Sequence, residues 1–310
     1  MCYESIIIGG GIAGLQAAIQ LGRYRHRVLV IDSGYGRSTI CRSYHNVLGW
    51  PEGVSGTQLR LLGKQQATSL GIHLLEDTVT SLAHNGEHGF TVTTTENGLF
   101  TASTLLLASG IMDRLPSLPN LMPCLGLTVY VCPDCDGYEV SGRRTIVLGS
   151  GSTGADMALT LLYWTRDIVY VNHEQKPLSA DQMHHLDAQQ IEVIEARIEE
   201  VVCKEEGVFR GVRLSDGRII DGERGFVAFG GNEVKSSLAE QIGIERHENK
   251  HIMVDPRTKM TNVPNVWAAG DVCVHSEQVT IAMAEGSQAA IWMHKAILQQ
   301  ASPKEGSSSP

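Results

Sequence analysis

The stretch SIIIGGGIAG at residues 5–14 constrains this chain more than any other. An apolar run, Ser5–Ile8, stops at three glycines, and apolar residues then recur at helical spacing at Ile12, Leu15, Ala18 and Ile19. A second apolar run, Arg27–Ile31, ends at Asp32. That order predicts strand, glycine turn, helix and strand with an acid at the tip, which is one βαβ unit. Each glycine of Gly9-x-Gly11-x-x-Gly14 has a physical reason. The first allows a tight turn, the second lets backbone approach a pyrophosphate, and the third lets the helix pack closely on the strand. Phosphate oxygens then meet the unpaired N–H groups at the helix start. Asp32, at the tip of the second strand, stands where a carboxylate accepts ribose hydroxyls and repels a 2′-phosphate.

The pattern returns in mid-chain. Thr145–Leu148 reads as a strand, Gly149-x-Gly151-x-x-Gly154 as the turn, Ala155–Tyr163 as a helix and Asp167–Val171 as the next strand. Asn172-His173-Glu174 follows. The distance from Gly154 to Glu174 matches the spacing at which such motifs place an acid on a ribose hydroxyl. A unit that reads a 2′-phosphate usually carries arginines here, and VYVNHEQKP has none. The segment therefore favours NADH over NADPH, and a unit that binds no nicotinamide nucleotide stays open as a third reading. The candidate contacts are Gly149, Gly151, Ser152, Thr153, Gly154 and Glu174. Around these units, Asn97-Gly98 predicts a hairpin between Glu87–Glu96 and Gly98–Ala102. Apolar runs at Thr104–Ala108, Phe226–Phe229 and Asn265–Ala269 each end in glycine, and a helix is expected over Val279–Leu298. The polar tail SPKEGSSSP is expected to be disordered.

A chain of 310 residues suffices for two domains, each with its own core. The net charge is −9 and no Lys/Arg block stands out, which argues against nucleic-acid and anionic-membrane partners. No apolar stretch reaches the roughly 18 residues of a membrane span, and the N-terminus lacks the basic start of a signal peptide. A cytoplasmic location is the expectation. Seven cysteines in a chain of this length do not form a disulfide framework, and in a reducing compartment a close pair points to catalysis or metal binding.

Such a pair lies in YVCPDCDGYEV, where Cys132 and Cys135 shortly precede the second glycine loop. A zinc site needs four ligands, and neither a second CxxC nor a suitable histidine pattern is present. Two inert core thiols would not call for the neighbouring Asp134 and Asp136. As a redox dithiol, the spacing brings both sulfurs within disulfide reach, and Asp136 could carry the proton that thiol–disulfide exchange requires. A dithiol beside two dinucleotide units suggests electron flow through a flavin, which accepts hydride and reduces disulfides.

Taken in order, GGGIAG, LLLASG at 105–110, CPDCDG at 132–137, GSGSTG at 149–154 and VWAAGDV at 266–272 make the chain resemble the low-molecular-weight thioredoxin reductase family of FAD-dependent pyridine nucleotide-disulfide oxidoreductases. The resemblance runs from about Ser5 to Gln299. It implies an α/β fold of two Rossmann-like dinucleotide-binding domains of the three-layer ββα type. The FAD domain would comprise about 1–114 and 241–310, with a nicotinamide-nucleotide-like domain of about 115–240 inserted. It implies that Cys132 attacks the substrate disulfide, that Cys135 faces the flavin and that Asp136 is the acid. FAD contacts would come from Gly9, Gly11, Ala13, Gly14, Asp32, Asn46, Val79, Gly110, Gly270, Asp271, Gln278 and Val279. The assembly would be a homodimer.

Two departures from the family qualify this. The paired arginines of the second unit are absent, and SYHNVLGWPEG with CPDCDGYE is similar to a branch containing dithiol oxidases that pass electrons to oxygen. Members lacking the nicotinamide site can also take electrons from ferredoxin. The expected function is an FAD-dependent thiol–disulfide oxidoreductase acting on a thioredoxin-like protein or a small-molecule disulfide. The alternatives are an oxygen-dependent dithiol oxidase, a ferredoxin-dependent reductase and a non-catalytic flavin sensor.

Overall fold

In this computed structural model residues 2–205, 207–273 and 276–301 are described, so the polar tail, 302–310, lies outside them. The chain divides into two compact units. The first comprises Met1–Thr39, Thr57–Met112 and Val234–Pro310, and the second Ile40–Gly56 and Asp113–Glu233.

In the first unit the strand Cys2–Ile8 lies between Val28–Asp32 and Leu99–Leu107, parallel to both. His73–Glu76 extends the sheet beyond Val28–Asp32. The far edge of Leu99–Leu107 is shared: its C-terminal half pairs parallel with Val266–Ala268, and its N-terminal half pairs antiparallel with Phe90–Thr94, which leads on to Val79–His84. Apolar residues fill both sheet faces, which is why these strands read as continuous runs and not as alternation. Ile7, Val28, Val30 and Leu106 pack under the helices Ile12–Arg23 and Val279–Ala301. Ile6, Ile8, Leu29 and Leu105 face the opposite way, toward Leu82, Phe90, Ile244 and Ile252. The two helices approach closely because Gly286 has no side chain: a Cβ there would lie 2.2 Å from the Ala13 carbonyl oxygen.

The second unit repeats the plan. Five parallel strands run in the order Glu192–Ile194, Ile168–Asn172, Thr145–Gly149, Arg224–Ala228, Val129–Tyr130. The helices Gly151–Leu161 and Ala180–Ala188 cover one face. A three-stranded antiparallel sheet, Ile198–Cys203, Phe209–Leu214 and Ile219–Asp221, covers the other through Val201, Phe209 and Val212. Both units thus have the expected α/β, Rossmann-like layering.

Two sequence expectations shift. The hairpin around Asn97-Gly98 forms with Gly98 at φ +85°, but its first strand begins at Phe90 and not Glu87. Its second strand fuses with the 104–108 run into the single strand Leu99–Leu107. Hydrophobic periodicity also misses the helix Gly56–Ser69, because its buried face is Gly56, Arg60, Gly63 and Ala67, whereas Leu61 and Leu62 point outward. Among the described residues no helix is long and apolar enough to cross a membrane.

Candidate active site

Cys132 stands at the start of a short helical turn, Pro133–Asp136. Pro133 pre-sets φ at the first helical position, where a missing N–H costs nothing. The N–H groups of Cys135 and Asp136 both donate to the Cys132 carbonyl, at 3.3 and 3.0 Å. Winding the chain this way folds the two cysteines onto one side, with their Sγ atoms 2.6 Å apart. Both cysteines and Asp136 are half-buried. Gly137 explains the last letter of the motif, since a Cβ there would lie 2.6 Å from the Trp164 ring. The turn thereby seats against the Gly151–Leu161 helix of the second glycine loop. A third thiol shares this environment. Burial, the Asp136 carboxylate and Cys132 push the Cys41 thiol up to about 12, so Cys41 stays protonated. Nothing in its sequence position signals that proximity.

The first glycine loop is shaped as a dinucleotide cradle. Gly9 turns at φ +107°, and a Cβ on it would lie 2.3 Å from the Ala108 carbonyl oxygen. A Cβ on Gly14 would lie 1.9 Å from the Gly9 carbonyl oxygen. Gly11 differs: nothing lies within 4 Å of its Cβ position, so the loop opens there. No side chain caps the helix that starts after Gly11. Its first N–H groups, including that of Ala13, are available to a pyrophosphate. Asp32 is buried, with one carboxylate oxygen accepting from the Gly10 N–H at 3.1 Å. The other accepts from Arg60 at 2.7 Å, with Lys64 at 3.4 Å. The residues present fit a dinucleotide.

The second loop has the same frame with a different lining. Gly149 and Gly154 are required by close neighbours, the Ala228 carbonyl and the Tyr170 ring. Over Gly151, however, lies Lys176, whose Cβ would be 3.0 Å from an added Cβ. The place of Asp32 is taken by Asn172, which follows Gly154 at the same offset as Asp32 follows Gly14. Asn172 accepts from the Gly151 N–H at 3.0 Å and donates to Glu195. Sequence spacing selects Glu174 and passes over Asn172. Glu174 sits further out and accepts from Ser150 Oγ at 2.6 Å, from Lys176 at 2.8 Å and from Arg114. Hydrogen bonds from Lys176, Ser150 and Arg114 lower its pKa to about 2. Ser152 and Thr153 lie in the first turn of the following helix.

The remaining candidates are spread along the chain. Gly270, at φ +80°, donates its N–H to buried Glu285, which pairs with Lys259. Arg37 bridges Asp271 and Glu277, next to Gln278 and the start of the 279–301 helix at Val279. The Gln278 carbonyl accepts from the Ala282 N–H at 2.9 Å. Gly110, at φ +69°, accepts from the Lys235 N–H. Val79 lies just past Asp77, and the Asp77 N–H donates to the Asp32 carbonyl at 3.1 Å, so this turn passes the tip of the Asp32 strand. Asn46 belongs to the second unit, exposed on the loop closed by the Tyr44–Val54 bridge.

The pyridine nucleotide-disulphide oxidoreductase family model matches residues 3–286. The chain is 29% identical to a probable thioredoxin reductase of Arthroderma benhamiae, across 96% of this chain and 81% of that one. It is 28% identical to the thioredoxin reductase of Treponema pallidum, across 93% and 95%. Among solved structures, HlmI superposes with a TM-score of 0.86 at 28% identity, covering 96% of this chain and 93% of that one. With two Rossmann-like units, a glycine cradle in each and a CxxC turn in the second, this chain is an oxidoreductase that belongs to the pyridine nucleotide-disulphide oxidoreductase family.

Proposed function

We propose that the protein is an FAD-dependent thiol–disulfide oxidoreductase working through Cys132 and Cys135. The 2.6 Å approach of the two sulfurs on one turn with Asp136 carries this reading. FAD is assigned to the first cradle, with Asp32, Asn46, Val79, Gly110, Gly270, Asp271, Gln278 and Val279 as further contacts. The second cradle is assigned to NADH. When bound, the flavin supplies a two-electron relay between a pyridine nucleotide and the dithiol.

The chain's own chemistry is thiol–disulfide exchange. The Cys132 thiolate attacks one sulfur of the substrate disulfide, forms a mixed disulfide and expels the first substrate thiolate. Cys135 then attacks the Cys132 Sγ, the second substrate thiolate leaves, and a Cys132–Cys135 disulfide forms. Two electrons have passed from the dithiol to the substrate, and Asp136 holds the proton that a leaving sulfur takes up. The substrate class is a thioredoxin-like protein or a small-molecule disulfide, handled by a cytoplasmic homodimer.

One observation favours a second reading, in which the flow reverses and oxygen takes the electrons. Lys176 lies over Gly151 and Glu174 is already paired, so the nicotinamide cradle is partly covered. The test is disulfide turnover of the holoprotein with NADH, beside dithiol oxidation in air. Cys132→Ser and Cys135→Ser should each lower whichever activity is present on the order of a thousandfold or more. Asp136→Asn should lower it roughly a hundredfold. Retention of more than a tenth of the activity by either cysteine variant would overturn the assignment.

A further inference from the structure

Glu174 is held by three side chains of its own chain. One carboxylate oxygen accepts from an Arg114 guanidinium nitrogen. The other accepts from Ser150 Oγ at 2.6 Å and Lys176 Nζ at 2.8 Å, with a second Arg114 nitrogen at 3.5 Å. A carboxylate offers about four lone-pair directions. A ribose diol that uses both oxygens therefore competes with these donors, Arg114 among them because it reaches both oxygens.

Arg114 makes further contacts in the same pose, and these would hold it nearby once its bond to Glu174 is released. Its guanidinium stands 5.9 Å from the Phe229 ring centroid, and a guanidinium nitrogen donates to the Phe229 carbonyl at 3.4 Å. Its backbone is held independently, by donation to Asn232 at 3.0 Å. Arg114, His173, Glu174, Arg197 and Phe229 line a cavity of about 540 Å³. His173 accepts from the Ile198 N–H at 2.9 Å, and burial with Arg197 nearby lowers its pKa. A neutral imidazole adds no cation to compete for Glu174.

We propose that Arg114 is a latch on the second nucleotide site, competing with the ribose of a pyridine dinucleotide for Glu174. This rests on the reading that the second glycine loop takes such a nucleotide. The apparent affinity is reduced by the fraction of molecules in which the latch is closed. For a half-exposed ion pair this is roughly 1.5- to fivefold. Arg114 also offsets the negative charge that repels a 2′-phosphate, so the latch narrows the discrimination between the phosphorylated and unphosphorylated ribose.

The test is binding of ADP-ribose and of 2′-phospho-ADP-ribose to the full-length holoprotein by calorimetry. Wild type is compared with Arg114→Met, which keeps the stem against Phe229, and with Arg114→Gln. Both variants should bind ADP-ribose roughly 1.5- to fivefold more tightly, with a larger preference over the 2′-phosphorylated ligand. The gap between wild type and variants should close as salt is raised, because an exposed ion pair is screened and a packing role is not. Equal or weaker binding by the variants, with binding by wild type, overturns the latch alone. Absence of binding by all three proteins overturns the nucleotide reading of the second loop and the latch with it.

Discussion

The two glycine cradles share a backbone plan and differ in what fills them. In the first, the acid at the strand tip is buried, bonded to the loop and paired with Arg60, and the loop is open at Gly11. In the second, a neutral Asn172 holds the loop, and the acid just beyond it is tied down by Arg114, Lys176 and Ser150. A βαβ frame therefore fixes the glycines by backbone sterics while leaving the polar lining free to vary. Only the lining decides how accessible the cradle is to a ligand.

The largest predicted contrast lies in the residues that hold each loop. Asp32→Ala strands buried Arg60 without its counter-charge and should cost about 3–5 kcal/mol of stability. Asn172→Ala removes neutral and charge-assisted hydrogen bonds and should cost about 1–3 kcal/mol. Denaturant unfolding of each variant measures the difference, and equal costs would show that Asp32 is not acting as a buried ion-pair partner.

A smaller change sharpens the same contrast. Gly11 sits at φ −76° with open space at its Cβ position, so Gly11→Ala should fold within about 0.5 kcal/mol of wild type yet lose bound flavin. Gly151 sits at φ +52° under Lys176, so Gly151→Ala should cost about 1–2 kcal/mol and leave the flavin in place. Flavin absorbance after desalting, read beside the melting temperature, checks both. Flavin lost from the Gly151 variant and retained by the Gly11 variant would reverse the cofactor assignment of the two loops.

What is legible in the sequence follows from range. The glycine loops, the buried parallel strands and the CxxC turn are written in local patterns of a few residues. Fully buried strands such as Val28–Asp32 and Ile168–Asn172 appear as unbroken apolar runs. The Gly56–Ser69 helix is not legible, because its inner face is built of glycine, alanine and one arginine. Arg60 is on that helix, so the partner of Asp32 is hidden as well. Counting along the chain picks Glu174 over Asn172, although Asn172 has the same offset from its glycine loop as Asp32. The choice needs the hydrogen bond to Gly151, which only the fold supplies. Arg114 and Trp164 act on Glu174 and Gly137, partners too distant in the chain for any local pattern to pair them.

The most direct measurement is cysteine mapping through one redox cycle. The oxidised holoprotein is reduced anaerobically with NADH or, failing that, a small dithiol, then alkylated with a mass-tagged reagent and digested. Cys132 and Cys135 should gain the label together, at the level of two thiols per flavin, while the labelling of Cys2, Cys41, Cys124, Cys203 and Cys273 stays constant. A flavin that cycles between oxidised and reduced states while Cys132 and Cys135 keep the same labelling would contradict the dithiol as the route of electrons.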